Sequence, residues 1–476
     1  LHKEYRRQRQ MCIRDSSVLL TEQHYMVGGY CSTFRRAGYT FDAATHFYPL
    51  LGNPSTITGQ ILAQIDCPTR WIKMDPVDHF HLPDGSTFSV PADFDTYFAK
   101  LKADFPHEAD NLDRFFALVR EAYLYGLLYF FRRRNHEKLD ELRQLTVREM
   151  LNKYFTDRKL LLILAGDCGH WGSPPSRTSF VFDAMLRLSY FLGNYYPEGG
   201  SQVFADDLAA AFEQRGGHIL TACTVDKVLV RDGAAVGVSL EYGPRGARRP
   251  ATVYAKNVIS NADLMHTVER LLGPEHVEPA SLRQLRTLVP SHPCFLTHIA
   301  LRDQPLDELI AASGYHWRGW DTDLVAKDAF KIFVPTMYEP RMAPPGGQVV
   351  ILQRITAIDW DSITDWTAHK LDVQADVMGR FEQALPGVSK RIVTYSSASA
   401  KTSERFTMNY RGAMLGWEMS PEQLGDGRPG IEGTVSNFYC VGHWTRPGGG
   451  ITPVIVSAKH AAEQILTGRT PTHVLG

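Results

Sequence analysis

Residues 16 to 52 read "SSVLLTEQHYMVGGYCSTFRRAGYTFDAATHFYPLLG". The run Val18–Thr21 is short and apolar, and it ends on Glu22, a polar turn and the pair Gly28-Gly29. That is how the second strand of a dinucleotide-binding unit ends. In such a unit the acid accepts hydrogen bonds from ribose hydroxyls, about 20 residues after a glycine-rich turn that seats a pyrophosphate on a helix N-terminus. The strand, turn and helix expected upstream are not read in this sequence. Taken alone, a strand ending in an acid equally ends a surface ladder, so the decision falls to distant segments.

Three such segments complete one pattern. Residues 196–243, "YPEGGSQVFADDLAAAFEQRGGHILTACTVDKVLVRDGAAVGVSLEYG", read as a glycine turn, an amphipathic helix, a strand and a hairpin around Asp232-Gly233. "AKNVISNADLMHTVERLLG" follows as a strand running into a helix, and "NFYCVGHWTRPGGGITPVIVSAKHAAEQIL" gives a buried strand, a glycine loop and an alanine-rich helix. Glycines in that loop allow close backbone approach, and the amides at the helix N-terminus face an anion.

In order and spacing, "EQHYMVGGYCSTFRRAGYTFDAATHFY", "YPEGGSQVFADDLAAAFEQRGGHI", "VISNAD", "ERFTMNYRGAMLGWEMSPEQ" and "YCVGHWTRPGGG" resemble the flavoproteins of the amine oxidase and phytoene desaturase superfamily. The likeness is nearest to its carotenoid isomerase and retinol saturase branch and covers nearly everything after residue 17. It implies an α/β fold: a discontinuous Rossmann-like FAD-binding domain of the glutathione reductase type, its first βαβ unit incomplete, beside an α+β substrate domain. The FAD domain is expected from residues 17–70, 195–262 and 430–476, and the substrate domain from 71–194 and 263–429.

The resemblance also assigns residues. Glu22 would hold the adenosine ribose, Gly28 and Gly29 would admit the cofactor to the backbone, and Val225 would meet the adenine through its main chain. Ala43, Ala44, Thr45 and His46, with the loop Pro447, Gly448, Gly449, Gly450, Ile451 and Thr452, would border the isoalloxazine and pyrophosphate. Gly442-His443 departs from the family's usual Gly-Asp, whose acid accepts hydrogen bonds from the cofactor's hydroxyl-bearing linker. His443 offers either a neutral acceptor or, when protonated, a partner for phosphate.

Residues 1 to 16, "LHKEYRRQRQMCIRDS", have neither a signal peptide's apolar core nor a periodicity that continues into the fold, and are expected to be a non-native scar in place of about 30 residues of the flavin-binding unit. On that expectation the chain as written binds FAD poorly. Its 51 Lys and Arg against 52 Asp and Glu create no field toward nucleic acid. The seven cysteines have no CxxC or metal-ligand spacing, so thiols, no metal and a cytoplasmic location are expected. No apolar run approaches the roughly 20 residues of a spanning helix.

Aromatic stretches between residues 71 and 190 are expected to fold as helices of the substrate domain. "HPCFLTHIALR", "AFKIFVPTMY" and "QVVILQRITAI" read as antiparallel strands crossed by the helix "DWTAHKLDVQADVMGRFEQAL", together walling a long apolar tunnel. "YLYGLLYFFRRR" at 123–134 suggests either a buried helix with a solvated end or a peripheral membrane contact. His170-Trp171 is expected to serve a loop turn. There is no GxSxG elbow and no Walker loop.

The function implied is an FAD-dependent oxidoreductase of carotenoid metabolism that desaturates or cis–trans isomerises a long polyene. A retinol saturase-like polyene reductase, an amine oxidase and a cofactor-less prenyl-binding protein of the same fold are the alternatives.

Overall fold

The computed structural model describes residues 17–132, 136–170, 172–244, 246–303, 313–319, 329–355, 357–430 and 435–468. The expectations for residues 1–16, for the Arg132–Arg134 side chains and for Trp171 lie outside these residues.

Two short parallel pairs carry the nucleotide-type topology. Leu19–Thr21 runs beside His218–Leu220, with Leu19 opposite His218 and Thr21 opposite Leu220. Val258–Ser260 runs beside Phe438–Cys440. Parallel pairing needs a long crossover, and the helix Ser201–Glu213 lies within the first one. The two pairs share no ladder among the described residues, and Leu19, Leu20 and Ile259 are 40%, 40% and 51% exposed. Their apolar faces are therefore unusually open for parallel strands, which are ordinarily covered on both sides. Cys223–Arg231, Ala234–Tyr242 and Arg249–Tyr254 form an antiparallel meander. Its first hairpin turns at Asp232 and Gly233, both at positive φ, as the Asp-Gly signal predicts.

A seven-stranded sheet forms the second layer, in the order Ile392–Ala398, Cys294–Leu301, Gln348–Ile355, Phe330–Phe333, Tyr315–Arg318, Asp78–His81, Thr87–Val90. Every ladder is antiparallel except that between Tyr315–Arg318 and Asp78–His81. Side chains alternate between faces along a strand. Accordingly Leu296, Ala300, Val349 and Ile351 enter the main core, whereas Phe295, Ile299, Val350 and Leu352 pack with Val373, Val377 and Phe381 of the crossing helix Trp366–Ala384. The main core continues into the helices Ala109–Arg132 and Phe180–Tyr190 through Phe115, Phe116, Val119, Ala122, Val181 and Ala184.

In a small third sheet Asn194–Pro197 pairs on one side with Tyr48–Pro49 and on the other with Trp71–Lys73. Around it Tyr48, Leu51, Leu62 and Phe204 close a separate core that also takes Leu208, Ile451 and Ile455. This packing gathers three stretches distant in sequence.

Candidate functional site

Glu22 follows directly on its strand. Its backbone N–H donates to the Leu220 carbonyl at 3.0 Å, and its own carbonyl accepts from Cys223 N–H at 2.9 Å. Val225 of the meander is thereby brought to the same end of the parallel pair. The Glu22 carboxylate accepts from His24 N–H at 2.7 Å, which folds it over its own turn. Gly28 has φ 122° and approaches Ala205 of the Ser201–Glu213 helix so closely that a Cβ would lie 3.1 Å from the alanine methyl. At Gly29, φ 55°, an added Cβ would meet nothing within 4 Å, so its backbone borders open space.

Ala43 N–H donates to Ser32 and Thr45 N–H to Tyr30, at 2.8 and 2.9 Å. The Thr45 carbonyl accepts from the Ser201 hydroxyl at 2.5 Å, which ties this segment to the helix following the "PEGG" turn. His46 is buried. Tyr315 has one hydroxyl proton, which goes to the His46 carbonyl at 2.8 Å. The His46 Nδ1–H must then donate to the Tyr315 oxygen at 3.0 Å, leaving Nε2 a buried acceptor with no partner among the described residues. Burial, reinforced by Lys331, holds His46 well below the ordinary histidine pKa, so it is neutral.

The helix Ile451–Thr467 opens on Gly450, φ 99°, with no side-chain cap, and closes on Gly468 in the left-handed region. Pro453 removes one of the four amide donors that a helix start leaves unpaired. Thr452 Oγ1 donates to the Pro49 carbonyl at 3.0 Å, which fixes the first turn against the small sheet. The N–H groups of Gly449, Gly450, Ile451 and Thr452 have no acceptor among the described residues. At Gly449 an added Cβ would lie 2.1 Å from the Leu415 carbonyl oxygen. Bare amides at the positive end of a 17-residue helix make an anion site.

Gly442 N–H donates to Ser457 Oγ of the same helix at 3.0 Å. His443 Nε2 stands 3.2 Å from Asn409 Oδ1, which also accepts from Trp444 Nε1–H at 3.2 Å. With Nε2–H donated, the free lone pair is on Nδ1. Burial and the neighbouring Arg428 push the His443 pKa down to about 3. The ring is therefore neutral, and of the two roles expected the neutral acceptor is the one this environment favours.

Sequence reasoning missed two features. The expected turn role of His170 is incomplete: its side chain is 2% exposed, Nε2–H donates to Asp78 Oδ1 at 3.1 Å, and Nδ1 lies 3.5 Å from Lys331 Nζ. Trp317 Nε1–H donates to the same Asp78 oxygen at 2.6 Å, and the Lys331 ammonium sits 4.5 and 5.0 Å from the centres of the Tyr315 and Trp317 rings. Burial lowers the Lys331 pKa to about 8. These residues come from three strands and the 3-10 helix Gly166–His170, and no local spacing joins the four elements. The other is Arg428, fully buried against Gly448 and not singled out by the sequence.

Among the described residues no group of His, Cys, Asp and Glu could hold a metal ion, and no helix is long and apolar enough to cross a membrane. Bare helix amides, a glycine-lined backbone and two neutral histidines with free acceptor nitrogens fit an FAD: an anionic pyrophosphate, a closely approached ring and a hydroxyl-bearing linker.

The chain is 26% identical over 490 residues to prolycopene isomerase 1, chloroplastic, of an Oncidium hybrid cultivar, covering 96% of this chain and 81% of that protein. It is 29% identical over 486 residues to human all-trans-retinol 13,14-reductase, covering 89% and 78%. An oxidoreductase from Methanosarcina mazei shares the fold, with a TM-score of 0.66 at 16% identity over 95% of this chain and 96% of that one. The pattern described as flavin containing amine oxidoreductase matches residues 10–466, and the chain belongs to that family.

Proposed function

We propose that this protein is an FAD-dependent oxidoreductase that isomerises or desaturates a long apolar polyene of the carotenoid class. Bound FAD supplies reversible acceptance of hydride or electrons. The chain's own residues bind and orient. The amides of Gly449–Thr452 receive the anionic part of the cofactor, Gly28 and Gly29 admit it to the backbone, and Glu22 with Val225 holds its adenosine end. Ala43–His46, Pro447 and Gly448 border the ring, and His443 beside Gly442 accepts from the linker. Residues 17–70, 195–262 and 430–476 would act as one nucleotide-binding unit, a reading supported by the core that Tyr48, Phe204 and Ile451 share.

The observation that carries the substrate class is the wall next to this cradle. Phe333 stacks on His46 at 4.8 Å, Phe34 on Phe41 at 5.1 Å, and Phe47 on His170 at 4.7 Å, and these rings join the main apolar core. Cys294 nearby is no thiolate nucleophile, because burial raises its pKa to about 11. A polyene offers no acidic proton, so such a wall needs only to hold the reacting bond in position, which alone supplies several kcal/mol. The similarity to prolycopene isomerase over 96% of the chain supports the same reading.

Anaerobic incubation of the flavin-loaded protein with poly-cis lycopene, and separately with phytoene, tests it. All-trans product without a net electron acceptor supports isomerisation, and product only with an acceptor supports desaturation. A second reading, reduction of a retinol-type double bond, is favoured by the 29% identity to the human reductase. Turnover of all-trans-retinol with neither carotenoid changed would replace the first reading by the second.

A further inference from the structure

Arg428 is 2% exposed, and no charged group pairs with it among the described residues. Its Nη2 donates to the carbonyls of Trp417 and Glu418, and its Nη1 lies 3.1 Å from Met419 Sδ. Its Nε has no acceptor among the described residues. These partners are neutral. Of the neighbouring described acids, Glu418 accepts from Arg177 at 2.7 and 3.0 Å, and Asp426 from Arg446 at 2.8 Å. No carboxylate among the described residues lies within salt-bridge distance of Arg428. Burial correspondingly drives its pKa down to about 9, and its field helps keep His443 neutral. A buried guanidinium without an anion is costly unless a ligand supplies the anion.

The position of this charge says where the anion belongs. Arg428 Nη1 is 2.5 Å from the point where a Cβ on Gly448 would stand, so only glycine lets the guanidinium close up behind the loop. Gly448 is two residues before the N-cap of the bare Ile451–Thr467 helix. Two independent features, a buried cation with no carboxylate partner among the described residues and an uncapped helix N-terminus, thus converge on one loop. The backbone that Arg428 rests on, Trp417–Met419, joins the apolar cores, with Met419 in the main core that also takes the aromatic wall of Phe333 and Phe41.

We propose that Arg428 is the fixed counter-charge for the flavin ring, held behind Gly448 so that it stabilises the negative charge the isoalloxazine acquires when it is reduced. This inference rests on the flavin site proposed above. It makes Arg428 a residue that acts on the cofactor's electronics through its field, distinct from those that hold the cofactor.

Sulfite is the probe, because it adds through sulfur to the flavin N5 with no leaving group and transfers its negative charge to the ring. Wild-type protein with bound FAD, confirmed by its visible absorbance, should bind sulfite at least about tenfold more tightly than free FAD does. Arg428→Gln should lose about tenfold or more of that affinity and lower the flavin midpoint potential measured by anaerobic dye equilibration. Arg428→Lys, which keeps the charge, should recover most of both. Wild-type sulfite affinity no better than that of free FAD would overturn the inference even if Arg428→Gln failed to fold. A folded Arg428→Gln that changes FAD affinity but neither sulfite affinity nor potential would assign the charge to the pyrophosphate and overturn it as well. Absence of bound flavin in the wild type would defeat this inference and the proposed function together, whereas bound flavin with an unmoved potential defeats only this one.

Discussion

Two helices in this protein begin on a glycine with positive φ and no side-chain cap, and their N-termini are in opposite conditions. At Gly200 the start of Ser201–Glu213 is closed by protein carboxylates: Ser201 N–H donates to buried Asp42 at 2.9 Å, and Gly199 N–H to Glu339 at 2.8 Å. At Gly450 the start of Ile451–Thr467 has no carboxylate among the described residues, and a buried guanidinium stands behind it. The same local backbone is therefore closed by the protein's own carboxylates in one place and left open in the other, where the proposed cofactor would sit. The cations follow the same division. Lys331 is linked through His170 to Asp78 and faces two aromatic rings, whereas among the described residues Arg428 has neutral partners only.

The strongest way to break this comparison is to remove a carboxylate from the closed side. Asp78→Ala should cost about 3–5 kcal/mol, because it strips the shared acceptor of His170 and Trp317 and leaves Lys331 buried and uncompensated. Urea unfolding measures this, and a loss under about 1 kcal/mol would mean that the network is not the counter-charge it resembles. On the open side Arg428→Met in flavin-free protein should cost no more than about 1–2 kcal/mol, since relief of an unpaired charge offsets the lost bonds to two carbonyls. Equal losses at the two sites would erase the distinction between them.

Smaller effects sharpen it. Lys331 has its pKa lowered from 10.5 to about 8, so between those values the unfolded chain binds the proton that the folded chain has released. Stability should therefore rise with pH from about 8 to 10.5, and Lys331→Met should flatten that slope. His443 is the gentlest test. With its pKa near 3 it remains neutral across the mildly acidic range, and its contribution to stability is lost only as pH falls from 6.5 toward 3. FAD affinity should consequently show no rise as pH drops from 8 to 5. His443→Ala should weaken FAD about tenfold, the loss of one accepted hydrogen bond. A steep gain in affinity below pH 6.5 would restore the imidazolium–phosphate reading.

The legible parts of this molecule are those whose signal is local. The strand ending in Glu22, the Asp232-Gly233 hairpin, the three strands of the large sheet and the helix after "RPGGG" each carry a period or a turn residue with one physical meaning. The glycine loop at 448–450 is legible because only close approach or positive φ calls for so many glycines together. The Asp78–His170–Lys331 network and buried Arg428 are not legible, since burial arises from contacts between stretches hundreds of residues apart. His170 sits in a glycine-rich stretch that reads as a turn in every window, and its chemistry appears only when Asp78 and Lys331 arrive on strands flanking Tyr315–Arg318. The state of His443 likewise depends on Asn409 and Arg428, neither adjacent in sequence.

The account turns on the open helix start at Gly450 being a flavin site. The purified protein should be denatured and its released chromophore identified by chromatography and visible absorbance. The prediction is FAD at close to one per chain, falling to a trace in Gly449→Ala, whose new methyl would lie 2.1 Å from the Leu415 carbonyl oxygen. A wild-type protein that stays colourless after saturation with FAD would contradict the account.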